Sequence, residues 1–302
     1  MSPAASPHPS FAPIAALVVN AFIWGVSWIP FRHLDSLGLH SLWTTAWIYA
    51  IAALLVVARH PDAVRQVLRS RWLWLLGLAT GLTNASFNWG VTIGDVVRVV
   101  LLFYLMPVWA VLLARWLLNE AIDAGALWRV ALAVAGAAIV LWQPGSPLPL
   151  PRSLADWLGL AGGAAFALTN VLLRRQAAQP AQGRALAMFA GGVVVPGALA
   201  LVLAATASAN PSLVGWPTLD PGIAIVATLT ALLFLVANLS LQYGAARLPA
   251  SVTAVVMLSE VPFAALSAVL VGGEALSAKT LAGGALIVVA STLAAVARPR
   301  RD

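Results

Sequence analysis

The chain has 302 residues, 61% of them hydrophobic and 9% charged, against roughly 45–50% and about 25% in soluble domains, so too little polar surface exists to coat a water-soluble globule. Seventeen Lys and Arg against ten Asp and Glu leave a net charge of +7, but the basic residues are scattered between apolar runs, which excludes a nucleic-acid-binding tract. With no cysteine, disulfides, thiolate nucleophiles and cysteine-based metal sites are excluded as well.

Residues 1–11 carry three prolines and no Lys or Arg, so they lack the basic start of a signal peptide and are expected to form a disordered tail. Ten apolar stretches follow, near 12–31, 39–58, 73–92, 96–117, 125–142, 156–174, 184–205, 222–243, 250–272 and 279–297. Each is close to the roughly 20 residues that carry a helix across a bilayer, whereas barrel strands would be alternating segments of about 10. The reading is an all-α integral membrane protein of ten transmembrane helices. The Pro-rich 143–155 is a linker loop between 12–142 and 156–297, and 298–302 is a basic tail.

Placing the N-terminus in the cytoplasm assigns thirteen Lys and Arg to cytoplasmic loops and four, Arg32, Arg98, Arg152 and Lys279, to the outside. That bias follows the positive-inside rule and implies an even number of crossings, both termini cytoplasmic. The protein is expected to be multi-pass in the cell inner membrane.

Asn84-Ala-Ser86-Phe-Asn88-Trp89-Gly90 aligns without gaps on Asn238-Leu-Ser240-Leu-Gln242-Tyr243-Gly244, at an offset of 154. Downstream, Leu105-Met-Pro107 with Glu120 matches Glu260-Val-Pro262 with Glu274, and Trp24-Gly25 pairs more weakly with Phe166-Ala167. Two halves of five helices each enter the membrane from opposite faces. The result is an inverted repeat around a central cavity, an architecture suited to alternating access.

The Trp24-Gly25 pair, the twin Pro107…Glu120 and Pro262…Glu274 signatures and the duplicated halves resemble the drug/metabolite transporter superfamily, in particular its EamA-type exporters, over about residues 12–297. The run Leu101-Leu-Phe-Tyr104-Leu-Met-Pro107 is also similar to the aromatic amino acid exporter branch. This resemblance implies a secondary transporter exporting small metabolites, amino acids first among them, with helices 1, 3, 4, 6, 8 and 9 around the cavity and helices 5 and 10 peripheral. One departure is that Glu260 stands two residues before Pro262, where the common pattern has the acid immediately before the proline.

Asn84 and Asn88, like Asn238 and Gln242, lie four apart on one helix face. Their amides offer donors and acceptors to a polar solute, or hydrogen-bond a neighbouring helix. Glu260 is the one ionisable residue near mid-span, where an unpaired charge costs at least about 2.5–3.5 kcal/mol; it is a candidate for binding an amine or coupling protons, or an acid bonded to a neighbouring helix. Trp24, Trp89, Tyr104, Trp109 and Tyr243 are candidates for an aromatic lining, while Trp43, Trp47, Trp72, Trp74, Trp128, Trp142 and Trp157 fall near helix ends as an interfacial belt. Arg98 is either a ligand for a substrate carboxylate or a snorkelling interfacial charge. Pro107 and Pro262 are hinge candidates, and Pro196 is expected to interrupt its helix too.

The lone lysine, Lys279, has no phosphate-binding loop before it, so ATP is not expected to drive this chain. No intramembrane histidine pair or acidic dyad is present. Neither cofactor nor metal is expected, nor enzymatic activity. A small-molecule solute and the lipid bilayer are the expected partners, with proton coupling through Glu260 open, and drug or lipid-like efflux and a membrane enzyme remain as alternative readings.

Overall fold

The computed structural model describes residues 11–117, 119, 122–142, 148–176, 178–206, 214–217, 220–245, 247–248 and 250–296. The expected tails at 1–10 and 297–302, residues 143–147 of the linker, and Glu120 lie outside the described residues. All regular structure described is helical: α1 (Phe11–Val26), α2 (Trp28–Ser36), α3 (Ser41–Arg59), α4 (Asp62–Arg69), α5 (Arg71–Ile93), α6 (Val96–Phe103), α7 (Met106–Leu117), α8 (Ala124–Leu141), α9 (Leu154–Arg175), α10 (Ala181–Thr206), α11 (Pro221–Ala245), α12 (Ala250–Met257), α13 (Glu260–Leu270) and α14 (Ala278–Val296).

Eight helical segments among the described residues are long and apolar enough to cross a membrane: Phe11–Ser36, Ser41–Arg59, Val96–Leu117, Ala124–Leu141, Leu154–Arg175, Ala181–Thr206, Pro221–Leu241 and Ala278–Val296. Val255–Leu270 is apolar but shorter. Helix α5 has the length but carries Thr80, Thr83, Asn84, Ser86, Asn88 and Thr92, all buried. Its threonine hydroxyls are satisfied inside the helix, Thr80, Thr83 and Thr92 donating to the carbonyls of Leu76, Ala79 and Asn88 at 2.9, 2.8 and 2.6 Å, and a polar helix is tolerated because protein surrounds it.

Three expected helices are broken. Ser27 separates α1 from α2, its hydroxyl donating to the Trp24 carbonyl at 2.7 Å. Tyr104 and Leu105 separate α6 from α7, just before Pro107, and the Tyr104 carbonyl is taken up by the Ser291 hydroxyl at 3.2 Å. Leu258 and Ser259 separate α12 from α13, just before Pro262. Pro196, by contrast, does not interrupt its helix: α10 runs through it from Ala181 to Thr206, as membrane helices can when neighbours satisfy the one lost hydrogen bond. Helix α4 was hidden in a charged gap, although Ala63, Val64, Val67 and Leu68 have the spacing of an apolar helix face.

Small residues set the helix contacts, since lipid offers no hydrophobic drive for helices to associate. A Cβ on Gly77 would stand 2.7 Å from the Ala187 carbonyl of α10, and one on Gly136 of α8 would stand 2.6 Å from the Gly283 carbonyl of α14. The exterior carries large apolar side chains, among them Leu54, Trp116, Val194, Leu229 and Leu270.

One end of the bundle is tied by ion pairs. The Arg32 guanidinium of α2 lies over the Trp28 ring, donates to the Val91 carbonyl at 3.1 Å and meets Glu274 at 3.1 Å; Glu274 in turn accepts the Val96 N–H that opens α6. Arg98 grips Asp156 of α9 through two hydrogen bonds of 2.6 and 3.0 Å and reaches the Val140 carbonyl of α8 at 2.9 Å. Lys279 donates to the Trp142 carbonyl. The basic residues assigned to the outside by sequence thus include three that staple helix ends, and Arg98 is committed to Asp156 rather than left for a solute.

At the same end His40 caps α3, its Nδ1 accepting the Leu42 N–H at 3.2 Å. Burial pushes its pKa down to about 4 from an ordinary 6.5. The unfolded chain therefore takes up a proton that the folded one refuses, so this contribution is complete above pH 6.5 and is lost as pH falls toward 4. A thermal melt in detergent is expected to show the wild type losing stability across that window and His40→Asn, which keeps a capping acceptor, losing less; parallel curves would contradict this.

Candidate solute-binding cavity

A cavity of about 560 Å³ lies between the helices. Helix α1 contributes Asn20 and Trp24, α3 Tyr49, and α5 Thr80, Thr83, Asn84 and Phe87. The break after α6 places Phe103, Tyr104, Met106 and Pro107 on the wall, followed by Ala110. Helix α9 adds Phe166, Thr169 and Asn170, α10 adds Met188 and Phe189, and α11 adds Asn238 and Leu241. The break before α13 supplies Met257, Leu258 and Glu260, and α14 supplies Ser291, Ala294 and Ala295. The lining therefore runs from the middle of the helices toward the ends at 117, 175, 245 and 296, and takes no described residue from the end tied by Arg32 and Arg98.

Glu260 is 8% exposed, and its Oε2 accepts the Tyr104 hydroxyl at 2.9 Å. Both residues sit where a helix is broken, so paired irregularities in α6–α7 and α12–α13 bring the acid and the phenol together. Gly25 makes room for this: a Cβ there would stand 2.9 Å from the Glu260 carbonyl and 2.7 Å from Phe263 Cβ. The Trp24-Gly25 pair thus has two local jobs, a ring on the wall and a gap that seats α13.

The amides are held by backbone. Asn84 donates to the Thr80 carbonyl at 2.8 Å and accepts the Tyr49 hydroxyl at 2.6 Å. Asn238 donates to the Phe234 carbonyl at 3.2 Å, and Asn20 to the Ala237 carbonyl at 2.7 Å. Rings continue around the wall, with centroids 6.2 Å apart for Trp24 and Phe87, 4.9 Å for Phe87 and Phe103, 5.9 Å for Phe103 and Tyr104, and 5.3 Å for Phe103 and Phe166.

Of the residues singled out by sequence, Trp24, Asn84, Tyr104, Asn238, Glu260 and Pro107 line the cavity. Asn88 does not: fully buried, it donates to the Thr45 hydroxyl of α3 at 3.1 Å. Trp89 packs with Leu42, Ala85 and Ala200 and lies against His40 at 5.3 Å. Tyr243 is 41% exposed beneath the Arg247 guanidinium. The Gln242 side chain lies outside the described residues, and Pro262 stands in α13 without reaching the wall. Sequence reasoning missed Asn20, Tyr49, Phe87, Phe103, Phe166 and Asn170.

A helical bundle with apolar crossings, an apolar exterior and a polar-spotted cavity between the helices defines a multi-pass membrane protein. Residues 12–142 match the EamA-like transporter family, so this part of the chain is similar to an EamA-like transporter domain. The matched family is one of transporters. No curated protein matches the chain. Fourteen chains of solved structures do; one crystal structure aligns with a TM-score of 0.56 and 16% identity over 93% of this chain and 95% of its own, a likeness of fold.

Proposed function

We propose that the protein is a secondary transporter that exports small amine-bearing metabolites across the bacterial inner membrane by alternating access, through the cavity described above. In this reading the chain crosses ten times with both termini cytoplasmic, as two inverted five-helix repeats, 12–142 and 156–297, joined by the 143–155 linker. One observation carries it: residues equivalent under the repeat, Asn84 with Asn238 and Trp24 with Phe166, stand on the same cavity wall. A shared central site explains their recurrence better than two independent packing solutions.

Aromatic and neutral amino acids are the solutes the family resemblance brings forward. The wall suits their amino group with Glu260 and their side chains with its rings. Glu260 is also the group through which a proton gradient would be coupled. Efflux of drugs or lipid-like cations is the second reading, favoured by the apolar, aromatic character of most of the lining.

Counterflow in proteoliposomes tests the transport reading. Vesicles are preloaded with an unlabelled solute, in turn phenylalanine, leucine and phenyltrimethylammonium, and uptake of the labelled counterpart is followed with no ion gradient imposed. Accumulation above the equilibrium level is expected for at least one solute, and is expected to fall at least tenfold when Asn84 and Asn238 are both replaced by Leu. Folded protein in sealed vesicles that accumulates none of them would contradict the reading.

A further inference from the structure

We propose that helix α4 and the start of α5 form a binding site for an anionic phospholipid, with its phosphate held by arginines and its chains laid on an exposed apolar strip. The site is separate from the cavity and does not rest on the transport reading.

The surface is built on a short helix between two long ones. Helix α4 links the end of α3 to the start of α5, so it stands where those two helices leave the bilayer. Helical spacing sorts its side chains into three strips. The first faces protein: Ala63 is fully buried, Val67 packs on the cluster of Leu73, Leu76 and Leu172, and a Cβ on Gly183 of α10 would run into Gln66 Oε1. The second is apolar and open, with Val64 38% and Leu68 63% exposed. The third is basic and open, formed by Arg65 and Arg69. A docked helix that still shows an apolar strip beside a basic one has the form of an interfacial helix, its leucine reaching acyl chains while its arginines meet headgroups.

The charges have no protein complement. Residues 59–71 hold four arginines, Arg59, Arg65, Arg69 and Arg71, against the single acid Asp62. All four are exposed, and among the described residues no carboxylate pairs with any of them. At the opposite end of the bundle, by contrast, Arg32 and Arg98 are matched by Glu274 and Asp156. Topology explains why arginines lie on one side of the membrane; it does not explain why two guanidiniums converge on Trp72, Arg71 at 5.6 Å and Arg175 at 4.2 Å from the ring. Tryptophan favours the headgroup level, so this pair holds positive charge at the depth of lipid phosphate.

A guanidinium presents paired donors that match phosphate oxygens, and a cluster of this size on an amphipathic helix beside a membrane crossing is complementary to anionic lipid. A free anion or an acidic peptide would use the arginines and leave Val64 and Leu68 uncovered. A phospholipid covers both strips with one molecule.

Native mass spectrometry of the full chain in detergent, titrated with dioleoylphosphatidylglycerol or with dioleoylphosphatidylcholine, tests the assignment, since the two lipids share their chains and differ in headgroup charge. The phosphatidylglycerol is expected to bind about tenfold more tightly. Replacing Arg65 and Arg69 together by Gln is expected to remove most of that preference, whereas replacing both by Lys keeps it. Leu68→Gln is expected to weaken both lipids several-fold. Arg115→Gln, at an exposed arginine of α7, is the control for charge alone and should change binding by less than about twofold, against the roughly tenfold effect of the pair. Equal affinity for the two lipids, or a loss in Arg115→Gln as large as in the double Gln variant, would overturn the proposal. Displacement of the bound phosphatidylglycerol by inorganic phosphate would overturn it too, because the patch would then be a site for a free anion.

Discussion

Replacing Asp156 by Ala is expected to lower the stability of the folded chain by about 3–5 kcal/mol, the usual cost of stranding one member of a buried ion pair. Asp156 is 2% exposed and Arg98 is largely enclosed, so the guanidinium would keep only the Val140 carbonyl. The loss is compounded because Asp156 also closes the capping box with Ser153 at the start of α9 and accepts the Arg152 N–H. The measurement is unfolding in detergent, by heat or denaturant. Removing both charges in the Arg98→Met, Asp156→Leu double variant should recover much of the loss, because a well-packed apolar pair avoids the desolvation cost. An Asp156→Ala protein that melts with the wild type would mean that the staple between α6, α8 and α9 contributes nothing.

Gly25→Ala is the second large effect, and it falls on function more than on the melting temperature. The added Cβ would stand 2.7 Å from Phe263 Cβ, 2.9 Å from the Glu260 carbonyl and 3.0 Å from the Ala264 nitrogen. Two of those atoms are backbone, so α1 and α13 must separate, carrying Glu260 away from Tyr104. Overpacking of this kind costs about 1–3 kcal/mol. Counterflow is expected to fall at least tenfold, and Gly25→Val is expected to fall further. Gly215→Ala, where nothing lies within 4 Å of the new methyl, is the control that should retain flux. Wild-type flux in Gly25→Ala would show that the seat of Glu260 tolerates a shift.

Much of the architecture was legible because apolar runs of bilayer length announce themselves: each of the ten expected ranges is occupied by helix, three of them broken. Each break stands just before a proline, Pro107, Pro262 or Pro30, but only the first two were weighed as hinges; at Ser27 the hydroxyl folds back on the Trp24 carbonyl. Within the cavity, polar and ionisable residues were the readable part. Asn84, Asn238, Tyr104 and Glu260 stand out of an apolar background, and all four line the wall. Phe87, Phe103 and Phe166 did not, because a helix in lipid is apolar toward both its neighbours and its solvent, and hydropathy says little about which ring points inward. The pair Asn84 and Asn88 shows the limit of face arguments. Four residues advance the helix by slightly more than a turn, enough for Asn84 to reach the cavity while Asn88 packs under α3 on Thr45.

Side-specific access to the cavity tests the central claim most directly. The natural chain has no cysteine, so Ala110→Cys places a single thiol on the wall and Leu270→Cys places one on the apolar exterior, where Leu270 is 73% exposed. Each protein is reconstituted, treated with a charged methanethiosulfonate reagent and assayed by counterflow, with labelling quantified by mass spectrometry. The account predicts that the Ala110→Cys protein loses flux on labelling and that saturating solute slows the loss, while the Leu270→Cys protein keeps its flux. Full flux in an Ala110→Cys protein labelled to completion would contradict it, because a cavity of about 560 Å³ plugged by a charged adduct cannot be the route the solute takes.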